Sequence, residues 1–244
     1  MALNNRTVVL TRAHEDNQAL RARLEQAGIH VLEVPTAQFA DVPIAAAHRA
    51  LLTQGAAVTF ASAHAVAAFA RQLTAADVQA IQGVVAAVGP STQAALSRIG
   101  LPASIVASAP STGRALGELL CAHLSAPSAV VVVQARQSQP DLAELLRAAG
   151  HDVHLAVVYE NVEPAAPSRA LIDAAAHANA IYLAAPSAAD RLLSWAPQLR
   201  DRPLVAIGAT TATALREKHG VLPAAQATSP DLADVTAALL SLCA

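Results

Sequence analysis

The chain has 244 residues, room for two domains of ordinary size, and its 54% hydrophobic content includes only 2% aromatics. Its core must therefore come from Leu, Val, Ile and Ala, and a ligand pocket here has no walls of stacked rings to use. A formal net charge of -2, with no basic stripe and no block of like charge, excludes a nucleic-acid surface and a charged tail.

The first predicted element is the strand Thr7-Val-Val-Leu10. A polar helix start follows, then Leu20, Leu24 and Ala27 at helical spacing, and Gly28 as a stop. Ile29 to Val34 gives a second strand, ended by Pro35. Strand, helix and strand in that order form a βαβ unit of a parallel sheet. The next strand is Ala57 to Phe60, running into Ala61-Ser-Ala-His64, and Val85-Ala-Ala-Val-Gly-Pro-Ser-Thr92 follows it.

The same wording then returns. Val130 to Val133, Leu142 and Leu146, Gly150 and the strand from His151 to Tyr159 repeat the first unit. Ala180-Ile-Tyr-Leu-Ala-Ala-Pro-Ser187 repeats the second, and Leu204-Val-Ala-Ile-Gly-Ala-Thr-Thr211 the third. The order A-B-C-A-B-C is too long in period for a solenoid and predicts an α/β protein of two similar doubly wound, parallel-sheet domains. Proline-bearing connectors are expected near Thr36 to Pro43 and Glu160 to Pro167.

Apolar runs are short and broken by charges or prolines, so no membrane span is expected. Met1 to Thr11 shows no signal-peptide pattern, and Cys121 and Cys243 read as reduced thiols rather than a disulfide framework. A cytoplasmic protein follows, and nothing demands a partner chain, so a monomer is expected. The nine histidines show no metal spacing, and neither a Walker loop nor a dinucleotide fingerprint is present. No metal and no cofactor is expected.

Two turns of the form Gly-x-[Ser/Thr]-Thr, Gly89 to Thr92 and Gly208 to Thr211, each follow a strand and open a helix. Free N–H groups at a helix start favour an anion, and the hydroxyls of Ser91, Thr92, Thr210 and Thr211 add donors. The same hydroxyls could instead only cap the helices. Arg12 lies just past the first strand, where it either forks onto a carboxylate or stands as a solvated charge. Arg136 occupies the corresponding edge of the repeated unit. Ser62, His64 and Ser187 fall in the second-unit turns, where helix capping accounts for them and no nucleophile elbow is present. Tyr159 ends a strand and begins a connector, either as a hydrogen-bond or proton donor or as an amphipathic hinge residue.

These segments resemble the uroporphyrinogen-III synthase family over nearly the whole chain. The carriers are Val8-Val-Leu-Thr-Arg12, Phe60-Ala-Ser-Ala-His-Ala-Val66, Ala87-Val-Gly-Pro-Ser-Thr92, Val158-Tyr159, Ala206-Ile-Gly-Ala-Thr-Thr211 and Ala227-Thr-Ser-Pro230. The resemblance implies cyclisation of hydroxymethylbilane to uroporphyrinogen III, with loss of water and inversion of ring D, through a cationic azafulvene and a spirocyclic intermediate. It also implies discontinuous domains, residues 1–38 with 164–244 and residues 42–158, joined by linkers near 39–41 and 159–163, with the ligand cleft between them. Tyr159 would then assist departure of the hydroxyl, while Arg12, Ser62, Ser91, Thr92, Ser187, Thr210 and Thr211 would face the substrate carboxylates. The chain departs from the family pattern at Ala61, at Ala185 and at Ser138-Gln139. The rival readings are a two-domain binding or sensor protein without catalysis and a nucleotide-dependent transferase; the missing phosphate-loop lysine disfavours the latter.

Overall fold

The computed structural model describes residues 6–108 and 111–243. In it the chain divides into two compact units, residues 1–38 with 162–244 and residues 39–161. The first strand, β1 (Thr7–Leu10), leads into α1 (His14–Gln26) and returns through β2 (His30–Glu33). Leu20 and Leu24 lie on the buried face of α1, and Gly28, at φ +77°, turns the chain into the next strand. That left-handed conformation is one an L side chain rarely adopts.

The second unit opens with β3 (Gln38–Asp41) and α2 (Ala46–Thr53). It continues through β4 (Ala57–Phe60), α3 (Ala63–Ala70), α4 (Ala75–Gln79), β5 (Val85–Ala87) and α5 (Pro90–Arg98). It ends with β6 (Ile105–Val106), α6 (Gly113–His123), β7 (Ala129–Ala135), α7 (Asp141–Ala148) and β8 (Asp152–Val162). The chain then re-enters the first unit with α8 (Arg169–Ala175), β9 (Ala180–Leu183) and α9 (Pro186–Trp195). A 3-10 turn at Pro197–Asp201, β10 (Leu204–Ala206), α10 (Ala209–His219), β11 (Ala225–Gln226) and α11 (Leu232–Leu240) complete it.

The first unit's sheet has the order β11-β10-β9-β1-β2, and the second unit's has β3-β8-β7-β4-β5-β6. Their paired strands run parallel from β11 to β2 and from β6 to β8. Read from the other end, the second sheet runs β6-β5-β4-β7-β8, so the repeated units occupy matching places in both sheets. The mixed α/β fold with doubly wound parallel sheets is thus the one the sequence predicts.

Helices cover both faces of each sheet. In the first unit, Val8, Leu10, Tyr182 and Val205 pack against Leu20 and Leu24 of α1 and against Val235 and Leu239 of α11. The alternate residues Val9, Ile181, Leu183 and Leu204 pack against Ile172, Leu192 and Leu215 on α8, α9 and α10. In the second unit, Val130 and Val132 face Leu116, Leu120, Leu142 and Leu146, while Val131 and Val133 face Leu52, Val66, Phe69 and Leu96. Val130 to Val133 are all 0% exposed, which explains a continuous apolar run where a half-solvated strand would alternate. Each such side chain contributes roughly 1.5–3 kcal/mol by leaving water.

Two sequence expectations change here. Residues 39–41 belong to a strand rather than a free linker, because β3 joins the edge of the second sheet beside β8. Tyr159 does not begin a connector, because β8 continues to Val162. Its backbone stays in the ladder: the Arg136 N–H donates to the Tyr159 carbonyl at 2.9 Å. Beyond it, the Gln137 amide bonds the Asn161 carbonyl and N–H, each at 3.2 Å.

Candidate active site

Every helix that follows a parallel strand begins at the carboxyl edge of its sheet, where open α/β proteins gather their functional groups. At the end of β4, Ser62 takes an extended conformation, φ -165° and ψ 161°, and its Oγ accepts the Ala65 N–H at 3.0 Å. The serine therefore caps α3, as its sequence position suggests. The same Oγ stands 3.2 Å from the Tyr159 hydroxyl.

Tyr159 reaches this point from β8, beside an irregularity of register between Gln134 and Ala135 of β7. The residue is 9% exposed. Phe39 meets it edge-on at 5.5 Å between centroids, and His64, on the first turn of α3, stands 6.2 Å away. Phe39 and His64 are themselves 4.7 Å apart. The second unit thus brings together Tyr159, Ser62 and His64, and adds Phe39. Arg136, expected near this edge, is engaged by the Glu160 carboxylate through its Nε.

In the first unit Arg12 follows β1 with its side chain 39% exposed, 3.5 Å from the Asp16 carboxylate. Its loop is held by neighbours that sequence reading overlooked. Thr11 Oγ1 donates to the Tyr182 carbonyl at 2.6 Å, Thr36 Oγ1 to the Thr11 carbonyl at 2.8 Å, and Asn17 Nδ2 to the Arg12 carbonyl at 3.2 Å. Burial raises the Tyr182 phenol above its usual range, and the Arg12 charge partly opposes that shift. The available signal was polarity: Thr11, Asn17 and Thr36 are hydroxyls and an amide beside apolar strands, and all are buried.

The paired turns open α5 and α10. Gly89 and Gly208 are the N-cap residues, and neither helix start carries a side-chain cap bond. The capping account of the four hydroxyls therefore fails: Ser91, Thr92, Thr210 and Thr211 lie inside the first turns. They also differ in access. Ser91 and Thr210 are exposed, while Thr92 and Thr211 are 1% and 2% exposed. Both glycines are extended, with φ 176° at Gly89 and -179° at Gly208, a backbone conformation open to any residue. A Cβ on Gly89 would stand 2.8 Å from Ser111 Oγ, whereas one on Gly208 would meet nothing within 4 Å.

Ser187 is exposed on the first turn of α9, but the N-cap there is Ala185 and no side-chain cap bond forms. Ser187 is thus no capping residue. None of the expected residues lines the cavity of about 220 Å³ beside Asp190, Arg200 and His219, which lies at the other ends of α9 and α10. Among the described residues no three His, Cys, Asp or Glu side chains are grouped to hold a metal ion, and no helix is long and apolar enough to cross a membrane.

A three-layer parallel unit that occurs twice, with polar side chains collected at the carboxyl edges, defines a duplicated doubly wound α/β protein. Within that class the chain belongs to the uroporphyrinogen-III synthase family: the family model described as Uroporphyrinogen-III synthase HemD matches residues 18–237. Its fold is similar to that of uroporphyrinogen-III synthetase from Helicobacter pylori, with a TM-score of 0.67, 22% identity, and 97% of this chain and 99% of that chain covered. It is also similar to a mutant uroporphyrinogen III synthase from the extremely thermophilic bacterium Thermus thermophilus, with a TM-score of 0.57, 19% identity and 98% of each chain covered. Among curated proteins, no sequence matches.

Proposed function

We propose that Tyr159 is the acid in the reaction of this family member, the lyase step of tetrapyrrole biosynthesis that cyclises hydroxymethylbilane to uroporphyrinogen III with loss of water and inversion of ring D. The observation that carries the assignment is the phenol itself. Tyr159 is held from its backbone by the β7 ladder, from its ring by Phe39 and from its hydroxyl by Ser62. A proton donor fixed on three sides is suited to general acid catalysis, which demands a settled distance to the leaving oxygen.

The proton of Tyr159 passes to the substrate's terminal hydroxyl. The carbon–oxygen bond breaks with its electron pair on oxygen, water departs, and a cationic azafulvene remains. Ring closure later expels a proton, which returns to the phenolate. Most of the acceleration comes from folding the linear substrate so that its ends meet, a proximity effect.

The substrate's carboxylates are met by few cations in this chain. Arg12, with its side chain 39% exposed, offers a fork to one of them. Ser91, Thr210 and Ser187 offer exposed hydroxyls at three helix starts. Thr92 and Thr211, whose side chains are buried, contribute their first-turn N–H groups. The protein works as a cytoplasmic monomer without a cofactor. Incubation with hydroxymethylbilane, oxidation of the product and separation of isomers I and III by chromatography tests the reading: isomer III above the spontaneous isomer I supports it, and isomer I alone sinks it.

A further inference from the structure

We infer that Ser62 is a positioning residue for Tyr159, fixing the phenolic oxygen and taking up the charge left when its proton departs, rather than a ligand of the substrate. The inference deepens the function proposed above and rests on Tyr159 acting as the acid there. Its ground is that one oxygen atom makes two contacts. Ser62 Oγ accepts the Ala65 N–H at 3.0 Å and stands 3.2 Å from the Tyr159 hydroxyl.

The first contact immobilises the oxygen, because the amide belongs to the start of a helix whose Val66 and Phe69 are buried in the core. A hydroxyl has one proton and two lone pairs. With one lone pair taken by the Ala65 amide, the remaining lone pair and the O–H are free to serve the phenol in turn. Before transfer the phenol rests against Ser62. As its proton moves to the substrate's leaving hydroxyl, the Ser62 O–H rotates onto the phenolate oxygen and donates to it. When ring closure returns a proton to Tyr159, the neutral pair is restored, so no atom or charge is left over.

A hydrogen bond onto an ionised oxygen is roughly twice as strong as a neutral one. The contact therefore strengthens along the reaction, and an interaction of that kind raises kcat without tightening substrate binding. The repeat supplies an internal contrast. The N-cap of α9, the matching helix of the first unit, is Ala185, without a side-chain bond. Of the two matching helices, the one that faces the phenol carries the serine.

The experiment separates capping from positioning. Glycine caps a helix nearly as well as serine but has no hydroxyl, and threonine keeps both functions. We expect Ser62→Gly to lower kcat roughly tenfold or more with KM within about twofold, at little change in thermal midpoint. Ser62→Thr should restore most of the turnover. In a Tyr159→Phe background, Ser62→Gly should cost nothing further, since its partner is gone. A raised KM at unchanged kcat would instead make Ser62 a substrate ligand. An undiminished loss in the Tyr159→Phe background would overturn the coupling. If Tyr159→Phe slows turnover while Ser62→Gly does not, only the positioning role fails. If Tyr159→Phe itself turns over normally, the acid assignment fails and takes this one with it.

Discussion

At the scale of single residues, the phenol of Tyr159 and the four hydroxyls of the paired turns carry the sharpest expectations. Tyr159→Phe keeps the ring against Phe39 and His64 and removes only the hydroxyl. Its kcat should fall by about 10² to 10⁴, the usual worth of general acid help, while the thermal midpoint moves little. Product should still be isomer III, because substrate positioning is untouched; wild-type turnover would leave Tyr159 a packing residue. The four hydroxyls divide by access. Ser91→Ala and Thr210→Ala should each raise KM about tenfold, the loss of one hydrogen bond to a charged group. Thr92→Val and Thr211→Val keep side-chain volume and the backbone N–H, so their kinetics should stay near wild type. Equal losses at all four positions would contradict this division.

The elements depend on a few close approaches that composition does not announce. Gly83 precedes β5, and a Cβ there would stand 1.9 Å from the Ala56 carbonyl oxygen and 2.5 Å from its carbon. Backbone cannot give way as the end of a flexible side chain can. Gly83→Ala should therefore destabilise the second unit by about 2–3 kcal/mol, the upper range for overpacking. Denaturant unfolding measures this, and an unchanged midpoint would show that the strand start shifts freely. Helix boundaries were easier to anticipate. Leu20 and Leu24 beside Gly28, and Leu142 and Leu146 beside Gly150, mark buried faces and stops, and both glycines have positive φ. The end of β8 is not written in its own segment, since it depends on hydrogen bonds shared with Arg136 and Gln137 at the exit of β7.

At the scale of the whole molecule, the two units are unequal in how they are assembled. The second is one continuous segment, residues 39–161, whereas the first is completed only when residues 162–244 rejoin residues 1–38. The continuous segment holds both faces of its own core, with Phe60, Phe69, Leu96, Leu116, Leu120 and Leu146 all 0% exposed. Expressed alone, residues 39–161 should unfold cooperatively with α/β circular dichroism. Residues 162–244 alone should not, because β9 would lack β1 beside it. Cooperative unfolding of the latter would mean that β1 is dispensable.

The sequence by itself determined the six β-α units, their duplication and the covering of both sheet faces. Those features are written locally: alternate residues of Val130 to Val133 go to opposite faces, and helical spacing marks the sides that meet them. Tertiary structure alone decided that the strand of Tyr159 runs on to Val162, that Thr92 and Thr211 are buried while Ser91 and Thr210 are not, and that Ser62 meets the phenol. Ser62 and Tyr159 are 97 positions apart, and they meet because β4 and β8 both flank β7. Periodicity tells a residue which side to bury. It carries no information about which distant residue will stand across from it, because that follows from strand order and register, fixed only when the whole sheet has assembled.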